Sequence, residues 1–313
     1  MEFKDGPVWR VVWAVPYAAA RFGGAGAARR AARVVGRLEG LRDAGVTRVA
    51  MRISPRLADQ NPRLAKIPAS WATRVAVRRQ GLRLELDLRD NLQAVVYYAG
   101  RYEPAMFRFL RDELRRGDVV LDVGANIGLH SLSAAKRLRE VGGGRVIAFE
   151  PAADSLEKLQ SAAERNKVAG LIETIPAALG DRTYQADLRA DTRYDVADAG
   201  VRSLHNEGQL VQRVPVIRLD DWAREHALER LDVVKLDVEG SEIAALSGAT
   251  RTLTRLQPRA VLVEDKREDV RARLYAVLDQ LGYRHSGKVF DRNALFRPDR
   301  SVLTASTGRH SLR

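Results

Sequence analysis

Short apolar runs alternate with segments of helical period over the second two thirds of the chain. The runs are rich in Val, Ile and Leu and end at turn residues, so they predict buried strands. These predicted strands cover Val119 to Val123, Arg145 to Phe149, Ile172 to Ala177, Val233 to Val238 and Ala260 to Val263. A regular alternation of strands and helices is typical of an α/β fold built on a mostly parallel sheet.

The segments between these strands have apolar positions three and four residues apart and predict helices. The predicted helices cover Leu129 to Glu140, Ala153 to Lys167, Asp220 to Ala227, Glu242 to Leu256 and Glu268 to Leu281. Lys288 to Phe290 and Ala294 to Phe296 predict a hairpin that closes the sheet. Residues 181–215 are polar and rich in Asp, Arg and Gly, and they predict a long loop that is functional or mobile. We expect the acceptor-binding residues in this loop or in the N-terminal extension.

The first 99 residues follow a different pattern and predict a separate extension. Alternating leucines at Leu82 to Leu88 indicate a strand. Arg29, Arg33 and Arg37 recur at helical spacing and predict a short basic amphipathic helix. Such a helix packs its apolar stripe on the main domain or lies on an anionic membrane surface.

The formal net charge of +13 is concentrated at the two ends of the chain. Residues 1–80 hold 16 Lys and Arg against 5 Asp and Glu, residues 297–313 hold 4 against 1, and the rest is nearly balanced. A groove that follows phosphates needs a basic surface, so a nucleic-acid partner is not favoured for the middle of the chain. We predict a basic extension over 1–99, a main domain over 100–296 and a basic tail over 297–313.

Composition excludes several kinds of site. The chain has no cysteine, which excludes a disulfide framework, a thiolate metal site and a cysteine nucleophile. Its 5 histidines lack the paired spacing of a histidine-built zinc site. The longest apolar run, Val11 to Ala20, is about half of the roughly 20 residues that cross a bilayer. Glu2 and Asp5 stand where a signal peptide would be positive, so we expect a cytoplasmic protein.

A buried strand runs into a glycine-containing turn and then into a helix between Asp122 and Gly128. Gly124 and Gly128 allow a tight turn and leave room for a ligand at the carboxyl end of the strand. A dinucleotide fingerprint would need a glycine where Asn126 stands, and Asp122 would repel its phosphates. S-adenosylmethionine carries an ammonium and a sulfonium and no phosphate, so the turn favours this cofactor.

Glu150 ends the next predicted strand and gives a second cofactor signal. A carboxylate at this position can accept hydrogen bonds from both hydroxyls of a ribose. Together with the turn at Asp122, it predicts an adenosine pocket at one edge of the sheet.

Six segments resemble motifs of the FkbM family of S-adenosylmethionine-dependent methyltransferases. They are Gly100–Glu103, Asp122–Gly128, Phe149–Pro151, Ala178–Asp181, Leu219–Asp221 and Lys235–Glu242, whose sequence KLDVEGSE is the most specific. The resemblance spans roughly Gly100 to Glu264, which is more than half of the chain. It implies a Rossmann-like class I methyltransferase fold, with a mostly parallel seven-stranded sheet flanked by helices and an N-terminal extension of helix and strand.

The resemblance also implies further cofactor-binding residues. It adds Glu103, Ala178, Leu179 and Asp181 to a cofactor site that already includes Asp122, Gly124, Asn126, Gly128 and Glu150. Members of the family mostly methylate hydroxyls of small molecules and sugars. The resemblance therefore implies O-methylation of a small-molecule or glycan acceptor.

The segment after the fourth predicted main-domain strand carries the candidate catalytic groups. In an extended strand Lys235, Asp237 and Glu239 point to one face, at the edge where Asp122 and Glu264 also end their strands. Methyl transfer to an alcohol needs three aligned atoms and removal of the hydroxyl proton. We predict Asp237 or Glu239 as the base or orienting group, with Lys235 paired to one of them or to the developing alkoxide.

Two other interpretations of these residues remain open. Lys235 and Glu239 can form an ion pair that only stabilises the strand end. The carboxylates can instead hold Mg²⁺, an alternative that we do not favour, so we assign no metal ligands. His205, in the irregular segment, is the other candidate base, because that segment can cover an acceptor.

Two competing functions use the same fold. An RNA methyltransferase would use the basic N-terminal extension as an arm, but the balanced charge of the main domain and the lack of a base-binding motif after the fourth of these strands disfavour it. A non-catalytic binding module would have to keep acids together at several strand ends without a ligand, which is costly.

Overall fold

The computed structural model describes residues 74–87, 90–190, 202–205, 207–265 and 268–299. Two compact units divide these residues, the first ending at Tyr102 and the second beginning at Glu103. The basic helix predicted at Arg29 to Arg37 and the tail after Asp299 lie outside the described residues. The domain boundaries, the membrane contact and the RNA arm predicted from the sequence therefore stay predictions.

The first unit contains a hairpin followed by a helix. Strands β1 (Arg74–Arg79) and β2 (Leu82–Asp87) pair antiparallel, and the side chains of Leu82, Leu84 and Leu86 are buried. The alternation of leucines therefore does form a strand, although Leu88 lies outside the described residues. Helix α1 (Asn91–Ala99) begins after Asp90, whose side chain accepts a hydrogen bond from the N–H of Gln93.

The second unit is built on a seven-stranded sheet, as predicted. Its order is β12-β13-β11-β10-β3-β4-β5, with β13 antiparallel to its two neighbours and every other pair parallel. The strands are β3 (Asp118–Val123), β4 (Gly144–Phe149), β5 (Ile172–Ile175), β10 (Val233–Leu236), β11 (Ala260–Glu264), β12 (Tyr283–Phe290) and β13 (Asn293–Pro298). From β3 the chain continues to β4 and β5 on one side, and from β10 it continues to β11 on the other. Because the connections leave these two adjacent strands in opposite directions, a crevice opens at the carboxyl ends of β3 and β10.

Helices flank this sheet and confirm the predicted α/β class. They are α2 (Pro104–Glu113), α3 (Leu129–Glu140), α4 (Ala153–Arg165), α5 (Leu219–Glu225), α6 (Glu242–Ser247), α7 (Thr250–Leu256) and α8 (Glu268–Gln280). Within the described ranges, no helix has both the length and the apolar character that a membrane span requires.

The single helix predicted over Glu242 to Leu256 is wrong, because the chain breaks it into α6 and α7 at Gly248. A Cβ on Gly248 would overlap the carbonyl oxygen of Gly180, so the two backbones touch here. The carbonyl of Gly248 also accepts a hydrogen bond from the N–H of Asp220, 2.9 Å away. Close packing of three chain segments thus interrupts a helical pattern that is continuous in the sequence.

The long loop predicted over residues 181–215 is also wrong, because most of its described residues form strands. A second sheet has the order β6-β9-β7-β8, with β6 (Ala178–Leu179), β7 (Tyr184–Ala190), β8 (Arg202–Ser203) and β9 (Gln209–Ile217). Leu188 and Val214 are buried on one face, while Asp187 pairs with Arg189 and Arg213 on the other. One face of this sheet is apolar and the other is charged, and the charged residues led to the prediction of a polar loop. Residues 191–201 and residue 206 lie outside the described ranges.

The amino ends of the strands carry a compact ionic network. Asp118 is fully buried and binds Arg259 at 2.5 Å and Arg230 at 3.1 Å. Glu113 binds Arg259 at 2.9 Å and Arg297 at 2.8 Å, which links α2 to the last strand. This edge of the sheet therefore matches each of these acids with arginine.

The crowding at Gly248 predicts a specific loss of stability. Replacing Gly248 with Ala forces the Gly180 carbonyl away, and we expect the free energy of unfolding to fall by about 2 kcal/mol or more. The matched control is Gly170→Ala, because an added methyl there meets nothing within 4 Å. Urea unfolding of both variants tests the expectation, and equal stability would contradict it.

Candidate active site

The turn after β3 brings the backbone against the end of β10. The N–H groups of Gly124 and Ala125 donate to the carbonyl of Phe149, at 2.9 and 3.0 Å. Gly124 has a φ of +74°, and a Cβ there would overlap the carbonyl oxygen of Asp237. Gly128, with a φ of +83°, would press a Cβ into Leu159. Both glycines are therefore needed for the turn to lie this close to its neighbours.

Glu150 is fixed by the same turn. Its Oε2 accepts a hydrogen bond from the N–H of Asn126 at 2.7 Å, and its Oε1 accepts one from the N–H of Ala152 at 2.9 Å. Asn126 takes a left-handed φ of +49°, and its own side chain accepts from the N–H of Ile127. Burial raises the pKa of Glu150 to about 7, against the effect of the two backbone donors.

Lys235 joins the carboxyl ends of β3 and β10. Its Nζ lies 3.2 Å from Asp122 Oδ1 and 3.6 Å from Asp237 Oδ2, and it donates to the carbonyl of Gly124 at 2.9 Å. Asp122 also accepts a 2.5 Å hydrogen bond from the hydroxyl of Ser131. Burial alone would lower the pKa of Lys235, but the charges of Asp122 and Asp237 outweigh it and hold that pKa above its usual value. Lys235 is thus a permanent cation in the site.

Glu103 enters the site at the start of α2. Its Oε2 lies 3.2 Å from His130 Nε2 and 3.4 Å from Asn293 Nδ2, whereas its buried Oε1 has no hydrogen-bond partner within the described residues. Burial favours the neutral acid, but the interaction with His130 holds the pKa of Glu103 below its usual value. Asp291 fixes this helix start by accepting hydrogen bonds from the N–H groups of Ala105 and Met106.

Three carboxylates lie close together at the carboxyl ends of β10 and β11. One oxygen each of Asp237, Glu239 and Glu264 lies within 4.8 Å of the others. Glu239 has a left-handed φ of +48°, and the turn behind it is held by Glu242, whose Oε1 accepts from the N–H groups of Val238 and Gly240. A cavity opens beside the cluster and is lined by Glu239, Glu264 and Asp265 and by the apolar side chains Ile243, Val270 and Leu274.

The second sheet brings His205 to the same place. His205 is exposed, and its Nε2 lies 2.9 Å from the hydroxyl of Ser241. The hydroxyl of Ser203 donates to the carbonyl of Glu239 at 2.9 Å, which anchors the end of β8 two residues before His205. The structure therefore places all four predicted catalytic residues at one edge.

The remaining predicted cofactor residues lie in the first strand of the second sheet and in the turn after it. Ala178 and Leu179 form β6 with buried side chains and pair with β9, whereas Asp181 is exposed in the turn that follows. Their assignment to the cofactor, which came from the family resemblance, stays a prediction.

The sequence reasoning missed Ser131, Asp291 and Asn293. Ser131 is the third residue of α3 and lies nine residues after Asp122, so its closeness in the sequence could have suggested the contact. Asp291 and Asn293 flank the turn between β12 and β13, about 190 residues after Glu103. No local sequence pattern connects Asp291 and Asn293 to Glu103.

Comparison with known proteins gives one family and several relatives. The family model described as the methyltransferase FkbM domain matches residues 122–285. The hexuronic acid methyltransferase AglP of Haloferax volcanii is 29% identical over 153 residues, which cover 49% of this chain and 59% of that protein. The 31-O-demethyl-FK506 methyltransferase FkbM of Streptomyces tacrolimicus is 32% identical over 163 residues, 44% of this chain and 61% of that protein.

The chain thus spans about three fifths of the length of these two relatives. Among solved structures, a methyltransferase FkbM from Methylobacillus flagellatus is 20% identical, with a TM-score of 0.43, and the match covers 67% of this chain and 52% of that one.

The raised pKa of Glu150 predicts a pH dependence of stability. An acid whose pKa rises on folding makes the native state bind more protons than the unfolded state between about pH 4.5 and pH 7. Its contribution is therefore complete below about pH 4.5 and is lost as the pH rises through about 7. We expect the ligand-free protein to lose stability over this range more steeply than Glu150→Gln. Urea unfolding at several pH values gives both curves, and parallel curves would contradict the assignment.

Proposed function

Because this chain belongs to the FkbM methyltransferase family, we propose that it transfers the methyl group of S-adenosylmethionine to a hydroxyl group of a small molecule, a sugar or a glycan. The names of two relatives support a hydroxylated acceptor, since one refers to hexuronic acid and the other to 31-O-demethyl-FK506. The observation that carries the proposal is the Glu150 carboxylate, which the backbone N–H groups of Asn126 in the glycine turn and of Ala152 hold at the edge of the sheet.

The adenosine half of the cofactor fits the space at Glu150. Each carboxylate oxygen has a further lone pair, so Glu150 can accept the two ribose hydroxyls while it keeps its bonds to the backbone. The close approach at Gly124 leaves no side chain between the turn and the strand ends. These features suit a nucleoside without phosphates, because the nearby Asp122 and Glu103 are acidic.

The methionine half fits the space at Glu103. A buried carboxylate oxygen without a partner is costly, at about 1–3 kcal/mol or more, unless a ligand supplies a donor. The ammonium group of S-adenosylmethionine is such a donor. Asp122 is already bound by Lys235 and Ser131, so we assign it the role of adding negative charge near the sulfonium rather than a direct contact.

The residues at the end of β10 would handle the proton of the acceptor. When bound, the cofactor supplies an electrophilic methyl group; its C–S bond breaks as the acceptor oxygen forms a C–O bond, giving a methyl ether and S-adenosylhomocysteine. The hydroxyl proton passes to Asp237, Glu239 or His205, which all lie at this edge. Lys235 holds Asp237 in place and remains charged throughout.

A pair of ligands separates the two halves of the proposed cofactor site. S-adenosylhomocysteine has both halves, whereas methylthioadenosine lacks the amino acid. Glu150→Ala removes a charged hydrogen-bond acceptor, and we expect it to weaken both ligands about 10-fold or more. Glu103→Gln is expected to weaken S-adenosylhomocysteine alone.

Isothermal titration of the full chain measures these affinities, with Glu164→Gln on the exposed face of α4 as the matched control. If the folded wild type bound neither ligand, the cofactor assignment would fall. If Glu103→Gln weakened both ligands equally, the assignment of Glu103 to the ammonium would be wrong.

The acceptor can be identified by product analysis. We expect transfer of one methyl group to oxygen in a panel of hexuronic acids, neutral sugars and hydroxylated macrolactones, detected by mass spectrometry. Asp237→Asn is expected to lower kcat about 100-fold, while the affinity for S-adenosylhomocysteine stays near that of the wild type. Methylation of nitrogen alone, in a matched panel of amines, would refute O-methylation.

A further inference from the structure

The acidic cluster at the ends of β10 and β11 has the geometry of a cation site. Oxygens bound to one cation at about 2.0–2.6 Å lie no more than about 5 Å apart. The oxygens of Asp237, Glu239 and Glu264 lie within 4.8 Å of one another, so they can reach one ion together. We propose that these three carboxylates bind one hard divalent cation of the Mg²⁺, Mn²⁺ or Ca²⁺ type.

The backbone brings the three groups together from two strands. The parallel pairing of Leu236 with Val263 places Asp237 beside Glu264 at the strand ends. Glu239 then returns towards them because the chain turns through left-handed conformations at Glu239 and Gly240, with φ of +48° and +104°. The side chain of Glu242 holds this turn from behind.

Asn293 supplies an independent sign of a ligand at this place. Its side chain is 1% exposed, and its Oδ1 has no hydrogen-bond partner within the described residues. The Nδ2 atom faces Glu103 and the carbonyl of Phe290, at 3.4 and 3.5 Å. Both of these groups are acceptors, so the amide nitrogen is assigned to this side and the oxygen is the atom without a partner within the described residues.

The register of the sheet places Asn293 opposite one residue of the cluster. Asn293 on β13 is paired with Glu264 on β11. Directly opposite residues of antiparallel strands point to the same face, with Cβ atoms about 4.5–5.5 Å apart. A side-chain amide oxygen is a usual ligand of Ca²⁺, either directly or through water. A cation at the cluster would therefore satisfy a buried oxygen whose isolation is otherwise costly.

The charges of the neighbourhood point the same way. Asp122, Asp237, Glu239, Glu264 and Glu103 stand at this edge, and the buried cation Lys235 lies between the first two. A divalent cation is attracted to this concentration of acids.

The role of the cation rests on the proposed function. Bound at the cluster, it would hold an oxygen of the acceptor and lower the pKa of its hydroxyl. Asp237 and Glu239 would then orient the acceptor through the ion, which leaves His205 as the side chain that accepts the proton. Binding of the ion itself does not depend on methyl transfer.

The test is titration of the EDTA-treated full chain with Mn²⁺, followed by electron paramagnetic resonance. We expect about one ion per chain, bound with a Kd of about 1 mM or tighter. Glu239→Gln is the main variant, because Glu239 is exposed and its loss does not threaten folding, and we expect at least 10-fold weaker binding. Glu164→Gln is the matched control and keeps the affinity of the wild type. Asn293→Asp is expected to bind at least as tightly, and Asn293→Leu more weakly.

Two results would overturn the inference: no Mn²⁺ binding by the wild type up to about 10 mM, well above the weakest calcium sites, or equal binding by the wild type and Glu239→Gln. Titration of S-adenosylhomocysteine in EDTA separates this failure from that of the proposed function. Cofactor binding without Mn²⁺ binding removes the cation site alone. Mn²⁺ binding without cofactor binding keeps the site and removes the methyltransferase proposal.

Discussion

The contact of Lys235 with Asp122, Asp237 and Gly124 is the constraint on which this edge of the sheet depends. It joins the two central strands at the point where the crossovers diverge, with the charges of Lys235 and Asp122 almost fully buried and that of Asp237 partly buried. Such charges are tolerated only as a set, because removing one partner leaves the others unpaired in a medium that solvates them poorly. The glycine turn closes over Lys235 through the carbonyl of Gly124, so the same contact shapes the floor of the proposed cofactor site.

Much of the fold could be predicted from the sequence because its signals are local. Strand β3 and helix α3 follow directly from the apolar run at Val119 to Val123 and the helical period that comes after it. The errors arise where a distant segment overrides the local pattern. Gly248 breaks a helix because the backbone of Gly180 touches it. The sequence predicts a loop in place of strands β7 and β9 because their exposed face carries charged pairs such as Asp187 with Arg213.

The site shows the same division between local and distant signals. Asp122, Glu150 and Asp237 could be found because each ends a strand, and parallel strands bring their ends to one edge. The arrangement of Glu103 and Asn293 could not, because they are far apart in sequence and meet only through the final hairpin. Asn126 and Glu239 hold left-handed backbones that are unfavourable for residues with a Cβ, and the turn contacts at Glu150 and Glu242 maintain them.

The position of β13 has a consequence for synthesis of the chain. This strand is laid down last among the described strands, yet it inserts between β11 and β12 rather than adding to an edge. Asp291 and Asn293, which fix the start of α2 and contact Glu103, arrive with it. A nascent chain that has made every other element therefore still lacks this corner of the site, and ligand binding there must wait until the ribosome has released the final hairpin.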